Sequence, residues 1–264
     1  MVLTELLDGI SCLSMRSALV ALRQPSKLRR YVSHCLKKYD ECVGNGLPSC
    51  NAVTPSEDMT LTIPAYHSGG GMSFDELVFI ARSVKVLQPR VIFEMGSYKG
   101  LTTSVFILNS ESETQVLTLD LPSNPTESAI LSGDKELVAD RSLVSTTKAL
   151  GLSRYTQLLC DSMKFDPTPY ADTVDLGLVA AAHDLIHVRN DTLKMAKMMS
   201  DRGLVFWHDY GGKVPLTPLA PYLEHLAKKY PLYRIQGSSL AWGHARELKV
   251  ILKDEQPTHF SRAA

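Results

Sequence analysis

The stretch RVIFEMGSYKGLTTSVFILNS, residues 90–110, decides the fold. Residues 91–95 are a short apolar run that stops at a turn containing Gly96 and Gly100. From Leu101 the apolar residues resume with helical density. A strand, a glycine turn and a helix in that order form the first unit of a parallel α/β sheet. The glycines let the backbone turn sharply and come close to a bound ligand. The first amides of the following helix point at the same spot. By itself the glycine pair also fits a plain strand-to-helix turn. A dinucleotide site uses G-x-G-x-x-G, whereas Gly96 and Gly100 give G-x-x-x-G.

Outward from this unit the alternation continues. Upstream, Ser73 followed by Glu76 is a capping box, and Phe74, Leu77, Val78, Ile80, Ala81, Val84 and Leu87 have helical spacing until Pro89 ends the run. Downstream, TQVLTLDLP, RYTQLLCDS, DLGLVAAAH and GLVFWHDY read as four more short strands. Helices are expected between them at about 134–150, 185–200 and 216–229. Strands that are apolar throughout and alternate with helices indicate a parallel sheet covered on both faces. At the end, PLYRIQG and LAWGHARELKVIL follow each other across a Gly-Ser-Ser turn, which predicts an antiparallel pair. The fold class is therefore α/β: a Rossmann-like, mostly parallel, seven-stranded sheet with an antiparallel C-terminal strand pair.

Three strand ends carry an acid. Glu94 precedes the glycine turn. Asp120, with Leu121 after it, ends the second strand, where a carboxylate can hold a ribose diol by two charge-assisted hydrogen bonds. Asp161 and Ser162 end the third, a short polar step suited to an exocyclic amine. Together they describe a nucleoside cleft at the carboxyl edge of the sheet.

In the order and spacing of these pieces, over about residues 72–250, the chain resembles a class I S-adenosylmethionine-dependent methyltransferase. It is most similar to the small-molecule O-methyltransferase-like group called methyltransferase family 24. The pieces are FEMGSYKGLTT, VLTLDLP, LLCDSMKFDPTPY, DLGLVAAAHDLIHVRNDTLKMAKMMSDRGLVFWHDYGG and PLYRIQGSSLAW. The resemblance implies S-adenosylmethionine as cofactor. Glu94, Gly96 and Gly100 would line its amino-acid end, Asp120 would hold its ribose, Asp161 and Ser162 would flank its adenine, and Ser97, Tyr98 and Leu121 would also bind it. The implied activity is methyl transfer to a small-molecule acceptor, most naturally an oxygen.

The fourth strand departs from the family pattern. Such strands usually end in Asp-Gly-x-His, and here residues 180–183 read Ala-Ala-Ala-His. In metal-dependent relatives that Asp is a ligand or a base, and alanine has no lone pair to offer. No metal site is expected. A cofactor-binding protein of this fold without turnover becomes the second reading, and a nicotinamide-dependent oxidoreductase the third. His183 keeps its place, either as a general base or as a histidine bonded to backbone at a helix start. His208 and Asp209, ending the fifth strand, would face the substrate beside the methyl group and could take a proton. His183 and His187, one helical turn apart, lack a third ligand at a zinc-site distance.

The flanks are less specific. In 264 residues, 28 basic and 28 acidic side chains balance to +0. The chain thus lacks the broad positive field that nucleic acids attract. Seven basic residues and no acid lie between Asp8 and Asp40, on what reads as two helices broken near Gln24–Pro25, with Leu19, Leu22, Leu28, Val32 and Leu36 turned inward. Residues 1–71 are expected to be an N-terminal helical cap and linker, and 72–264 the cofactor domain. The cap helices are the natural surface for a homo-oligomer. Tyr66 and His67 precede three glycines, a composition for either a lid or an ordinary exposed linker. Lys99 suits a solvated surface lysine, and Tyr233 and Trp242 read as packing residues. Five cysteines at irregular gaps form no disulfide framework, which points to the cytoplasm. No stretch of eighteen apolar residues is available to span a membrane.

Overall fold

In the computed structural model the chain divides into two compact units, Met1–Glu41 and Cys42–Ala264. The structure describes residues 47–50, 59–64, 71–122, 142–210 and 219–254, with isolated positions 125 and 138, all of them in the second unit. The expected N-terminal helices, Tyr66 and His67 lie outside the described residues.

The elements of the second unit, in chain order, are β1 (Ser49–Cys50), α1 (Phe74–Leu87), β2 (Val91–Met95), α2 (Leu101–Asn109), β3 (Gln115–Asp120), α3 (Ser145–Ala149) and β4 (Thr156–Leu159). After these come β5 (Val174–Val179), α4 (Leu185–Met198), β6 (Met199–Trp207), α5 (Leu219–Ala227), β7 (Leu232–Ile235), β8 (Ala241–His244) and α6 (Ala245–Asp254). The sheet runs β1-β7-β8-β6-β5-β2-β3-β4. Strands β4, β3, β2, β5 and β6 are mutually parallel, and β8 is antiparallel to both β6 and β7. These are the seven strands expected from the sequence. The two-residue β1, in a stretch read as loop, adds an eighth at the edge beside β7.

Period-2 alternation sends side chains to both faces of the sheet. Phe93, Met95, Leu117, Leu119, Val205 and Trp207 join one buried cluster with residues of α4 and α5. Ile92, Val116, Leu176, Leu178 and Phe206 join another with Leu77, Ile80 and Val84 of α1 and Val105 and Phe106 of α2. Each fully buried Leu, Ile or Phe contributes roughly 1.5–3 kcal/mol, so helices must cover both faces. The capping box of α1 forms as read: Ser73 N donates to Glu76 Oε2 at 2.7 Å, and Glu76 N to Ser73 Oγ at 3.4 Å. The helix stops at Gln88, held in the left-handed region at φ 46°, just before Pro89.

One expectation needs correction. LAWGHARELKVIL is not a strand throughout; it turns into a helix after His244. Ala245 and Leu248, three apart, are both buried, a helical spacing that no strand can satisfy on one face. α6 packs on β6 and α4. On its outer side Lys249 pairs with Asp201 at 2.7 Å and with Asp172. Among the described residues no helix is long and apolar enough to cross a membrane.

The amino ends of three neighbouring strands meet at Asp175, whose side chain is fully buried. It accepts from Arg90 N (2.9 Å), Ser200 Oγ (2.6 Å) and the Arg202 guanidinium (3.0 and 2.6 Å). Burial favours the neutral acid, but Arg202, Ser200 and Arg90 together hold the carboxyl far below the usual aspartate range. Replacing Asp175 by Ala is expected to cost about 2–4 kcal/mol in denaturant unfolding at neutral pH. Because the folded-state pKa is depressed, the difference from wild type should fade as pH falls below the ordinary aspartate value of 3.8.

Candidate functional site

Strands β2 and β5 lie side by side, and the chain leaves them in opposite directions across the sheet: from β2 to β3, and from β5 to β6. Crevices for ligands form at the carboxyl ends of such a switch point. The glycine turn lies there. Gly96 has φ 93°, and a Cβ on it would stand 2.3 Å from the Ala180 carbonyl oxygen. Gly100 has φ 82°, and a Cβ there would meet Thr147 Oγ1 at 2.4 Å and Val144 Cα at 2.8 Å. Both glycines are therefore required by backbone conformation and by space.

Asp120 fastens this turn to β3. Its Oδ2 accepts from Ser97 N (3.1 Å), Ser97 Oγ (3.0 Å) and Tyr98 N (2.9 Å), and its Oδ1 from Leu121 N (2.7 Å). Tyr98 is held at φ 46°. The third strand end is adjacent, since Cys160 N donates to Asp120 O at 2.9 Å. Asp161 then closes its own turn by accepting from Met163 N at 2.9 Å. The Ser162 carbonyl accepts from Lys194 Nζ at 2.5 Å and Asn190 Nδ2 at 3.2 Å, tying this turn to α4. Glu94, Gly96, Ser97, Tyr98, Gly100, Asp120, Leu121, Asp161 and Ser162 thus sit along three neighbouring strand ends.

Glu94 points into the α1–α2 side of the core. It is 1% exposed, and Thr103 Oγ1 donates to its Oε2 at 2.5 Å. Burial pushes its carboxyl up to about 7; the Thr103 hydrogen bond opposes this, and the Asp120 charge adds to it.

A second group occupies the ends of β5 and β6. A small cleft there is lined by residues 179–183, Val188, His208, Asp209 and Leu219. His183 Nε2 lies 3.1 Å from Asp209 Oδ2, and His208 Nδ1 lies 3.2 Å from the same oxygen. Asp209 is held at φ 69°, a conformation that costs energy and that Asp tolerates better than most residues. Burial opposes its charged form, but the two histidines keep the carboxyl well below the usual range. Burial likewise opposes a charged His208, yet Asp209 and Glu76 raise it to about 9. Asp209 therefore joins both histidines expected at the acceptor end, and Ala180, Ala181 and Ala182 line the same cleft.

Sequence reasoning missed one member. Glu76, read only as a helix cap, also lies 3.4 Å from His208 Nε2 through its Oε2, while its Oε1 accepts from Ser239 N and Oγ at 2.6 Å each. Nothing local signals contacts 132 and 163 positions away. His187 is bound by its neighbour Asp184, its Nδ1 2.9 Å from Oδ1, which accounts for the second histidine of the pair.

Residues 93–210 match a family model described as a methyltransferase domain. No curated protein matches the sequence. Among solved structures, an S-adenosylhomocysteine-bound methyltransferase from Podospora anserina is similar at 13% identity, covering 64% of this chain and 77% of its own, with a TM-score of 0.44. A candidate caffeoyl-CoA O-methyltransferase from Staphylococcus aureus is similar at 12% identity, covering 64% and 82%, with a TM-score of 0.48. A methyltransferase from Geobacter sulfurreducens is similar at 11% identity, covering 66% and 80%, with a TM-score of 0.45.

The raised Glu94 carboxyl has a testable consequence. A folded-state pKa above the unfolded value contributes stability that is complete at low pH and lost as pH rises from 4.5 towards 7. Glu94→Gln, which has no such titration, is expected to gain about 1–3 kcal/mol on wild type over that interval. Chemical denaturation at a series of pH values measures it. Parallel stability curves would contradict it.

Proposed function

We propose, from the match of residues 93–210 to a methyltransferase domain model, that this protein binds S-adenosylmethionine and methylates a hydroxyl oxygen of a small-molecule acceptor. The observation that carries the reading is the clasp of the Gly96–Gly100 turn by Asp120. It places a carboxylate, a side-chain-free backbone and the first turn of α2 at one switch point. These residues fit the cofactor: Asp120 and Leu121 at the ribose, Ser97, Tyr98 and the glycines at the amino-acid end, and Asp161 with Ser162 at the adenine. Buried Glu94, at the end of β2, is held by Thr103 of α2.

When bound, S-adenosylmethionine supplies a methyl group on a sulfonium. Holding the acceptor in line with that methyl group would supply much of the rate. The acceptor proton goes to His183. Its imidazole is oriented by Asp209 and is the more exposed of the two histidines, at 27% against 12% for His208. His208, flanked by two carboxylates, is already protonated at neutral pH and serves as a fixed charge. The Ala180–Ala182 run lacks the acid that would hold a divalent metal.

The same alanines support a second reading, a cofactor-binding protein of this fold without turnover. Cofactor binding with no methyl transfer to a panel of phenols, sugars and carboxylates would favour it. The neutral net charge supports a small molecule rather than a nucleic acid as partner. The irregular spacing of the five cysteines supports a cytoplasmic location.

Titration calorimetry with S-adenosylmethionine or S-adenosylhomocysteine tests the reading. Binding is expected, and Asp120→Ala should weaken it at least about tenfold, since hydrogen bonds to a charged group contribute about 1.5–3 kcal/mol. No heat at millimolar cofactor would overturn the proposal. Unchanged affinity in the variant would remove Asp120 from the site.

A further inference from the structure

From the interior to the cleft, four ionisable side chains stand in file. Glu76 comes from the first turn of α1, His208 and Asp209 from the end of β6, and His183 from the exit of β5. Successive separations are 3.4 Å (Glu76 Oε2 to His208 Nε2), 3.2 Å (His208 Nδ1 to Asp209 Oδ2) and 3.1 Å (Asp209 Oδ2 to His183 Nε2). Side-chain exposure rises along the file from 3% at Glu76 through 12% and 19% to 27% at His183. The file runs from the interior to the cleft, with Glu76 at the sealed end.

We infer that Glu76 is a positioning residue that acts through His208: it holds His208 as an imidazolium, the imidazolium offsets the charge of Asp209, and His183 is left as the proton-accepting imidazole of the cleft. The meaning of the last step rests on the reading of His183 as the base; the charge state of His208 does not.

Each ring nitrogen of His208 faces a carboxylate oxygen. A neutral imidazole has one N–H and one lone pair, so one of the two carboxylates would meet a lone pair in a buried place. The imidazolium donates to both. Among the described residues, the titratable groups facing His208 are Glu76 from α1 and Asp209 beside it, and those facing Asp209 are His208 and His183. Glu76 is kept ionised, down to about 2, against the effect of burial by His208, Ser239 and Ser73. Ser239 precedes β8 and Ser73 precedes α1, so the carboxylate is anchored from two directions.

The effect on His183 is one of charge. An uncompensated carboxylate at 3.1 Å favours imidazolium, and a base that already holds its proton cannot accept another. With His208 positive against the same Asp209 oxygen, that pull is offset, while the hydrogen bond that orients His183 is kept. Orientation and basicity are thereby set by different neighbours.

Histidine ring resonances of the full chain, followed by two-dimensional NMR from about pH 5 to 10, test this without any acceptor. In Glu76→Gln, whose amide still accepts from Ser239, the His208 midpoint is expected to fall by at least about one pH unit, a tenfold loss of proton affinity. Glu76→Asp should restore part of it. In His208→Asn the His183 midpoint should rise, and adding Glu76→Gln to that variant should move His183 no further. An unmoved His208 in Glu76→Gln overturns the inference, as does an unmoved His183 in His208→Asn. So does a full response of His183 to Glu76→Gln when His208 is absent. A purely structural role for Glu76 would lower thermal stability without these shifts. If Glu76→Gln fails to fold, the His208→Asn measurement still decides. Should the titrations match expectation while S-adenosylmethionine fails to bind, the proposed function falls and this inference stands; the reverse outcome separates them equally.

Discussion

Strands β2 and β5 are buried on both faces and paired side by side, and the rest of this unit is arranged around that constraint. Neither strand can satisfy its backbone with water, so each must pair along its length: Ile92 to Met95 face Leu176 to Val179, and Ala180 N continues the ladder to Met95 O at 2.9 Å. Where the pairing ends, the two chains are still in contact. The Ala180 carbonyl occupies the space a side chain on residue 96 would need. The turn must therefore begin with glycine at positive φ. A backbone without a side chain, at the carboxyl end of a central strand, is also what permits close approach of a ligand. One packing constraint supplies both the fold's geometry and the opening of its cleft.

The buried charges obey a consistent rule on opposite edges of the sheet. At the amino edge, Asp175 is surrounded by donors from Arg90, Ser200 and Arg202, and its role is to fasten β2, β5 and β6. At the carboxyl edge, Asp120 plays a similar part for the glycine turn, and Asp209 is shared by two histidines. The difference lies in the partners. Arginine holds its charge at every accessible pH, so the Asp175 cluster is fixed. Histidine can lose its charge, so the Asp209 cluster can take part in proton transfer. Glu94 differs from Asp175 and Asp209. Among the described residues it has a hydroxyl partner but no cation beside it, and its burial therefore raises its carboxyl towards neutrality.

The sequence by itself determined the order of elements, the parallel character of the sheet and the three acid-bearing strand ends. Those properties are local: apolar runs of strand length, helical spacing, a capping box, and turn residues that require glycine. Asp120, Asp161 and the Gly96 turn were legible because each stands at the end of a periodic segment. Where a local signal was ambiguous, it misled. Residues 240–252 carry enough β-forming side chains to read as one strand, and only the burial of Ala245 and Leu248 against β6 and α4 made their second half a helix.

The tertiary structure alone decided how the charges group. Glu76 has an evident local role, which its sequence context explains completely, and a second role that depends on residues 132 and 163 positions away. Likewise, His183, His208 and Asp209 were each placed at a strand end by pattern, but which histidine carries a charge depends on which groups stand beside it. The physical reason is that hydrogen-bond periodicity is written along the chain, whereas electrostatic environment is set by distance in space. Residues 90–110 could announce a strand, a glycine turn and a helix; that the turn would be clasped by Asp120 and pressed against Ala180 needed the sheet to close.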